Sequence, residues 1–367
     1  MKIINRLCFG ADRKMTKRDL CFENGVITDT SVDGVFDAEG CYVLPGFIDT
    51  HIHGSNGVEF YFSNGEGSVK SALDWLCEQG VTSCLMTLAT EQDEDYRLDC
   101  ERYVRENDDR LIGIHCEGPF MNYARKGGLT AENLQEPNAE LLERINGYCG
   151  GALKIVSLAP EVPGATEVIK HLCEMGIKVS MAHTDASFEE AADGVEAGIS
   201  RVTHLYNAMR PFSHRDPSAV GCALTDDRLN CELICDLHHV SAPAIKLAVR
   251  SKGVDNITMI SDSSFFAGMQ EGVHHYAGRE YIVNDGFARL PNGTICGSAC
   301  SLAVGAKNMF SLGFSPEEIA VMACVNPAKA AGCTDRGELK TGLRADIIVL
   351  DSEFNVTAVF VKGKRIR

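Results

Sequence analysis

One pattern constrains the fold of this chain more than any other: short apolar runs ending in polar residues recur along its middle, with helix-like segments between them. The runs span residues 46–53, 81–90, 111–117, 152–160, 178–183, 201–205, 230–236 and 257–262, and all are rich in Val, Ile, Leu or Cys. Such runs read as buried strands. Segments 69–79, 93–105, 187–197 and 242–251 mix apolar and charged residues at roughly helical spacing. Alternating strands and helices favour a parallel sheet, because each parallel connection needs a crossover that a helix provides. Eight such units predict an α/β protein built on a TIM (β/α)8 barrel, and 367 residues, 45% of them hydrophobic, are enough for one.

The flanks differ. Residues 1–45 read as short strands and turns, and residues 336–367 contain the apolar runs 345–350 and 358–362. Each end alone is too small for a good core, so the two are expected to pair into a small β-sandwich domain beside a catalytic barrel spanning 46–335. Between Ser263 and Gly297 lies an insertion, expected to form a hairpin over the barrel mouth, where substrate-covering elements are placed.

A formal charge of −16 argues against a nucleic-acid binder and against a surface drawn to anionic lipid. No stretch approaches the roughly 18 uninterrupted apolar residues of a membrane helix, and the opening lacks the apolar core of a signal peptide, so the expected location is the cytoplasm. The 16 cysteines are scattered without any C-x-x-C pair and read as reduced and mostly buried.

Polar residues cluster where the inferred strands end, which is the face on which TIM-barrel enzymes assemble their sites. The first run ends in His51-Ile-His53, whose alternation puts both imidazoles on one side of a strand. The third ends in His115-Cys-Glu117, the fifth in His183, the sixth in His204 and the eighth in Asp262. A lone strand-end His is usually an ordinary satisfied polar residue; five such positions on one rim point to a metal site. Imidazole and carboxylate donors suit Zn2+ first, with Fe2+, Mn2+, Co2+ or Ni2+ as alternatives. Asp262 is the candidate general base and acid for hydrolysis by metal-activated water.

The run Pro45-Gly-Phe-Ile-Asp-Thr-His51-Ile-His53-Gly54 resembles the amidohydrolase superfamily. Four further motifs resemble its N-acetylglucosamine-6-phosphate deacetylase family: Gly113-Ile-His-Cys-Glu-Gly-Pro-Phe120, Thr203-His-Leu-Tyr-Asn-Ala-Met209, Ser261-Asp262 followed by Ala267-Gly268, and Asn326-Pro-Ala-Lys-Ala-Ala-Gly332. The resemblance implies that Glu117, His183 and His204 bind the principal metal and that Asp262 activates water. It places Asn207 and Ala208 at the substrate, Arg215 and His239 at the sugar or its phosphate, and Cys296-Gly297-Ser298 near the acyl group. The implied partner is a phosphorylated acetamido sugar. An Arg fork suits phosphate oxygens, and in the family this Arg commonly reaches across an interface, which implies a homodimer. Two features depart from the family or vary within it. Leu129 stands where some members have a substrate-contacting His, and the retained His51 and His53 leave room for a second cation, so one or two ions are expected.

Three rivals remain at this stage. Another amidohydrolase, such as a cyclic-amide hydrolase, would typically carry a carboxylated Lys at the end of the fourth strand, which here ends Ser157-Leu-Ala-Pro160. An N-acetylgalactosamine-6-phosphate substrate differs by one inverted hydroxyl. A non-catalytic structural homologue would keep the barrel, yet here every ligand-type residue is present.

Overall fold

The computed structural model of the protein describes residues 1–30, 33–61, 68–276, 279–293 and 295–367. Its centre is an eight-stranded parallel sheet. The strands are β1 (Phe47–Ile52), β2 (Val81–Leu88), β3 (Leu111–Glu117), β4 (Leu153–Leu158), β5 (Lys178–Met181), β6 (Arg201–Val202), β7 (Asn230–Ile234) and β8 (Ile257–Ile260). They lie side by side in chain order, and the backbone N–H of Asp262 donates to the His51 carbonyl at 3.0 Å, joining the end of β8 to β1. Each predicted run contains one of these strands; β3 ends with its run at Glu117, and the others stop one to three residues early, where the chain turns outward to present its polar residues.

The helices that follow the strands are α1 (Val69–Glu78), α2 (Asp93–Glu106), α3 (Ala139–Tyr148), α4 (Ala165–Glu174), α5 (Phe188–Ala197), α6 (Ser218–Thr225), α7 (Ala242–Lys252) and α8 (Leu302–Ser311). The sequence explains their edges. Ser187 and Glu190 form a reciprocal capping box at the start of α5, and the apolar stripe of α1, with Ala72, Leu73 and Leu76, enters the main core. Strand periodicity then sorts the sheet's two faces. In β3, Ile114 and Cys116 pack in the core that includes the helices, while His115 and Glu117 take the alternate positions facing the barrel interior.

The two ends of the chain build two further sheets. One orders Val26–Thr28, Leu20–Glu23, Lys2–Ile4 and Val35–Asp37; the other orders Lys364–Arg365, Val356–Val361, Ile347–Leu350, Tyr42–Pro45, Leu7–Phe9 and Met15–Lys17. Ile3, Leu20, Phe22, Val43, Ile347, Val349 and Phe360 share one apolar cluster between them. The alternate residues Leu44, Ile348 and Leu350 belong to the barrel's core, so a period of two fastens this layer to the barrel.

The insertion after β8 holds more than the expected hairpin. It is a four-stranded antiparallel sheet of β9 (Gly272–Tyr276), β10 (Arg279–Asn284), β11 (Phe287–Arg289) and β12 (Ile295–Ser298). The two further strands, β11 and β12, go beyond that expectation, because Phe287–Arg289 and Ile295–Ser298 are too short to show alternation in the sequence. No described helix is long and apolar enough to cross a membrane.

Candidate metal centre

Three of the predicted residues reach the barrel axis through an uncommon backbone conformation. His183, His204 and Asp262 have φ of +44°, +32° and +49°. For non-glycine residues this left-handed region costs of order 1–3 kcal/mol and persists where the surroundings enforce it, a frequent mark of functional sites. Here it turns the chain out of β5, β6 and β8 while leaving each side chain directed inward.

Glu117, His183 and His204 form one donor group, and His51, His53 and Asp262 form a second. In the first, Glu117 Oε1 lies 3.3 Å from His183 Nε2 and 3.0 Å from His204 Nε2, and the two imidazole nitrogens are 3.2 Å apart. In the second, His51 Nε2 lies 3.2 Å from His53 Nε2, and Asp262 Oδ1 lies 3.5 and 3.4 Å from these two nitrogens. Glu117 belongs to both neighbourhoods, because its Oε2 is 3.2 Å from His53 Nε2. Glu117, His51, His53, His183 and His204 are all buried.

The donor chemistry fits a cation. His183 Nδ1 must donate to the Arg125 carbonyl, 2.8 Å away, because a carbonyl only accepts. In the neutral ring Nε2 therefore carries a lone pair, aimed at a carboxylate oxygen and a second imidazole nitrogen. Converging lone pairs in a buried site require positive charge between them. The same pull acts on protons. Burial disfavours the charged form of His53, but hydrogen bonds to Asp262 and Glu117 outweigh it and push the ring up to about 9.

His115 is different from its neighbours. It sits one layer deeper, with Nδ1 3.0 Å from the Thr50 carbonyl and Nε2 2.7 Å from Ser157 Oγ, and burial beside His51 pushes it down to about 3. Both nitrogens are engaged in the barrel's interior, so it is a packing residue of the site.

A cavity of about 440 Å3 opens above the donors, a size typical of small-molecule sites. Asn207, Ala208, His239, Cys296 and Gly297 line it, as does Leu129 with Thr130 beside it. Cys296-Gly297-Ser298 lies in β12, where the Ser298 N–H donates to the Asp262 carbonyl at 3.0 Å. A Cβ on Gly297, whose φ is +83°, would stand 3.4 Å from that carbonyl. Ser298 itself is buried behind the wall, with its Oγ accepting from the Cys300 N–H. His239 Nδ1 donates to Asp236 Oδ2 at 2.6 Å. Burial opposes the imidazolium, and the bond and charge of Asp236 outweigh it, so the His239 pKa is raised.

Arg215 is not brought to this cavity. It is exposed on the loop after β6, which is closed by an Arg210–Asp216 ion pair of 2.5 Å. Residues absent from the sequence reading also line the cavity, among them Glu59, Tyr61, Tyr276, Arg279 and Tyr281. Tyr276, Arg279 and Tyr281 belong to β9 and β10, and only the folding of the insertion over the barrel mouth brings them to the cavity. Glu232 was missed as well. A carboxylate in the middle of the apolar run Cys231-Glu-Leu-Ile-Cys235 was the signal that could have found it.

Convergent imidazoles and carboxylates at the C-terminal rim of a (β/α)8 barrel define a metal-dependent hydrolase. The chain belongs to the amidohydrolase family, whose sequence pattern matches residues 42–366. It is 33% identical to an N-acetylglucosamine-6-phosphate deacetylase of Lysinibacillus sphaericus, over 98% of this chain and 94% of the relative. It is 31% identical to an N-acetylgalactosamine-6-phosphate deacetylase of Escherichia coli O157:H7, over 89% of this chain and 88% of the relative. Its fold is similar to a solved structure of a Mycobacterium smegmatis N-acetyl-D-glucosamine-6-phosphate deacetylase mutant in complex with N-acetyl-D-glucosamine 6-phosphate. That similarity has a TM-score of 0.91, with 26% identity and coverage of 100% of this chain and 98% of the other.

Proposed function

We propose that the protein hydrolyses N-acetyl-D-glucosamine 6-phosphate to D-glucosamine 6-phosphate and acetate. The observation that carries this reading is the pair of donor groups sharing Glu117 beneath a cavity walled by Asn207, Ala208 and His239. Glu117, His183 and His204 hold the principal divalent cation, and His51 and His53 hold a second where one binds. Zn2+ is the first candidate for this nitrogen and oxygen donor set, with Fe2+, Mn2+, Co2+ and Ni2+ as alternatives. When bound, the cation polarises the amide carbonyl and brings the pKa of water towards neutrality.

The chain's residues do the rest. Asp262 takes a proton from the attacking water as the new C–O bond forms, then returns it to the amine nitrogen as the C–N bond breaks. Asn207 and Ala208 hold the sugar, and Cys296 with Gly297 border the acyl group, where the glycine's missing side chain leaves room. His239 donates to the phosphate through Nε2–H. Arg215, exposed beside the exposed Phe212, reaches the phosphate of a neighbouring subunit in a homodimer. The division into a barrel at 46–335 and a sandwich of residues 1–45 and 336–367 belongs to the same reading, as does a cytoplasmic location.

The deciding experiment couples metal analysis to acetate release from N-acetylglucosamine and N-acetylgalactosamine, each with and without a 6-phosphate. The expected result is metal-dependent release, fastest with the phosphorylated gluco sugar. Equal rates on unphosphorylated sugars would remove Arg215 and His239 from phosphate binding. The galacto sugar is the second reading, favoured by the 31% identity to the Escherichia coli relative; a higher kcat/KM on its 6-phosphate would establish it.

His239 also sets a pH dependence. Its raised pKa extends the protonated form of the ring to higher pH than a free imidazole keeps it, so the phosphate contact is present below the ordinary imidazole value and is lost as pH rises through the shifted one. KM for the phosphorylated sugar is therefore expected to climb at alkaline pH, and the climb to disappear in His239→Gln. A wild-type KM flat across this range would assign the phosphate to other residues.

A further inference from the structure

Beneath the metal site the barrel interior is polar where branched apolar side chains are usual. Glu232 on β7 is fully buried, and its neighbours Cys231 and Leu233 point the other way into the core. Its Oε2 lies 3.0 Å from His51 Nδ1 and its Oε1 lies 3.1 Å from Arg201 Nη2 on β6. Arg201 is buried too, and its Nη1 donates to Asn230 Oδ1 at 3.3 Å. A charged pair this deep is costly unless each end is matched.

The order of donors along this chain is fixed by chemistry. A guanidinium can only donate, so the carboxylate accepts from Arg201 at one oxygen and from His51 at the other. His51 must then carry its proton on Nδ1. In the neutral ring its Nε2 is left with a lone pair, directed to the place where His53 Nε2 and Asp262 Oδ1 converge. Partners of this kind orient metal-binding imidazoles, and losing them costs about 10–100-fold in metal affinity.

We infer that Glu232, held by Arg201, is the positioning residue that commits His51 to binding a second cation beside Asp262. This rests on the two-ion form of the proposed function. The first ion at Glu117, His183 and His204 does not depend on Glu232, because His183 is oriented separately by the Arg125 carbonyl.

Glu232→Gln tests the inference with little change in volume. Arg201 cannot accept, so the amide must turn its oxygen to Arg201 and its NH2 to His51 Nδ1. The His51 proton then moves to Nε2 and blocks the lone pair. Zn2+ titration of the chelator-stripped protein, with counting of bound ions, should give two ions for wild type. The variant should keep the tight first ion and bind the second about 10–100-fold more weakly; in chelator it should stay folded by circular dichroism but melt at a lower temperature, because the buried Arg201 loses its charge partner. Adding Arg201→Met frees the amide to turn its oxygen back to His51, so the double variant should recover second-ion binding. It also serves where the single variant folds poorly. Two ions bound to Glu232→Gln with wild-type affinities would overturn the inference, and so would loss of both ions from a folded variant. One ion on wild type would instead remove the two-ion reading on which it rests.

Discussion

Replacing Asp262 by Asn is expected to lower kcat for acetate release by about 10²–10⁴-fold, the usual contribution of a positioned general acid and base. The substitution is nearly isosteric, and Asn tolerates the left-handed backbone that Asp262 adopts, with φ of +49°. The backbone bonds at this position, from its N–H to the His51 carbonyl and from the Ser298 N–H to its own carbonyl, are untouched. Fold and first-ion binding should therefore survive while proton transfer fails. Metal content is to be read beside the rate, because Asp262 Oδ1 also borders His51 and His53. An unchanged rate with metal in place would show that another group carries the proton. A rate that tracked the ion count alone would make Asp262 a ligand.

A larger loss is expected from Glu117. Its two oxygens reach His183, His204 and His53, so Glu117→Ala removes the anion common to both donor groups and leaves His183 and His204 facing one another without a carboxylate between them. Bound metal should fall to background and the rate by more than about 10³-fold, since losing a single preorganised stabiliser of developing charge already costs about 10²–10³. Glu117→Gln keeps the volume and should behave alike, which separates loss of the ligand from a collapsed cavity. Wild-type metal content in the Gln variant would move the principal ion away from Glu117.

The pattern of runs in the sequence carried the barrel because strand alternation and helix periodicity are local properties. It carried the rim donors too, since His51, Glu117, His183, His204 and Asp262 all follow apolar runs whose register puts them inside or at the top. Two-residue β6 was still legible, as His204 near the end of the run 201–205 marks it. The antiparallel sheet after β8 was less so, because its strands are short and only partly buried, and only their pairing reveals them.

Distance separated the remaining cases. Sequence spacing treats His115 and Glu117 alike, two residues apart on one strand face, yet one lies against Ser157 and the other among the imidazoles. Arg215 fits a phosphate by chemistry, and the fold puts it on an exposed loop outside its own cavity. Glu232 and Arg201 stand 31 residues apart in separate apolar runs, and the barrel pairs them at 3.1 Å. The order of strands, the side of each that faces inward and the kinds of atom available at the rim are encoded in the chain itself, because they depend on residues a few positions apart. Which of those atoms meet, and which imidazole nitrogen is left free, depended on side chains 66 to 181 residues apart being brought within hydrogen-bond distance, and only the closed barrel does that.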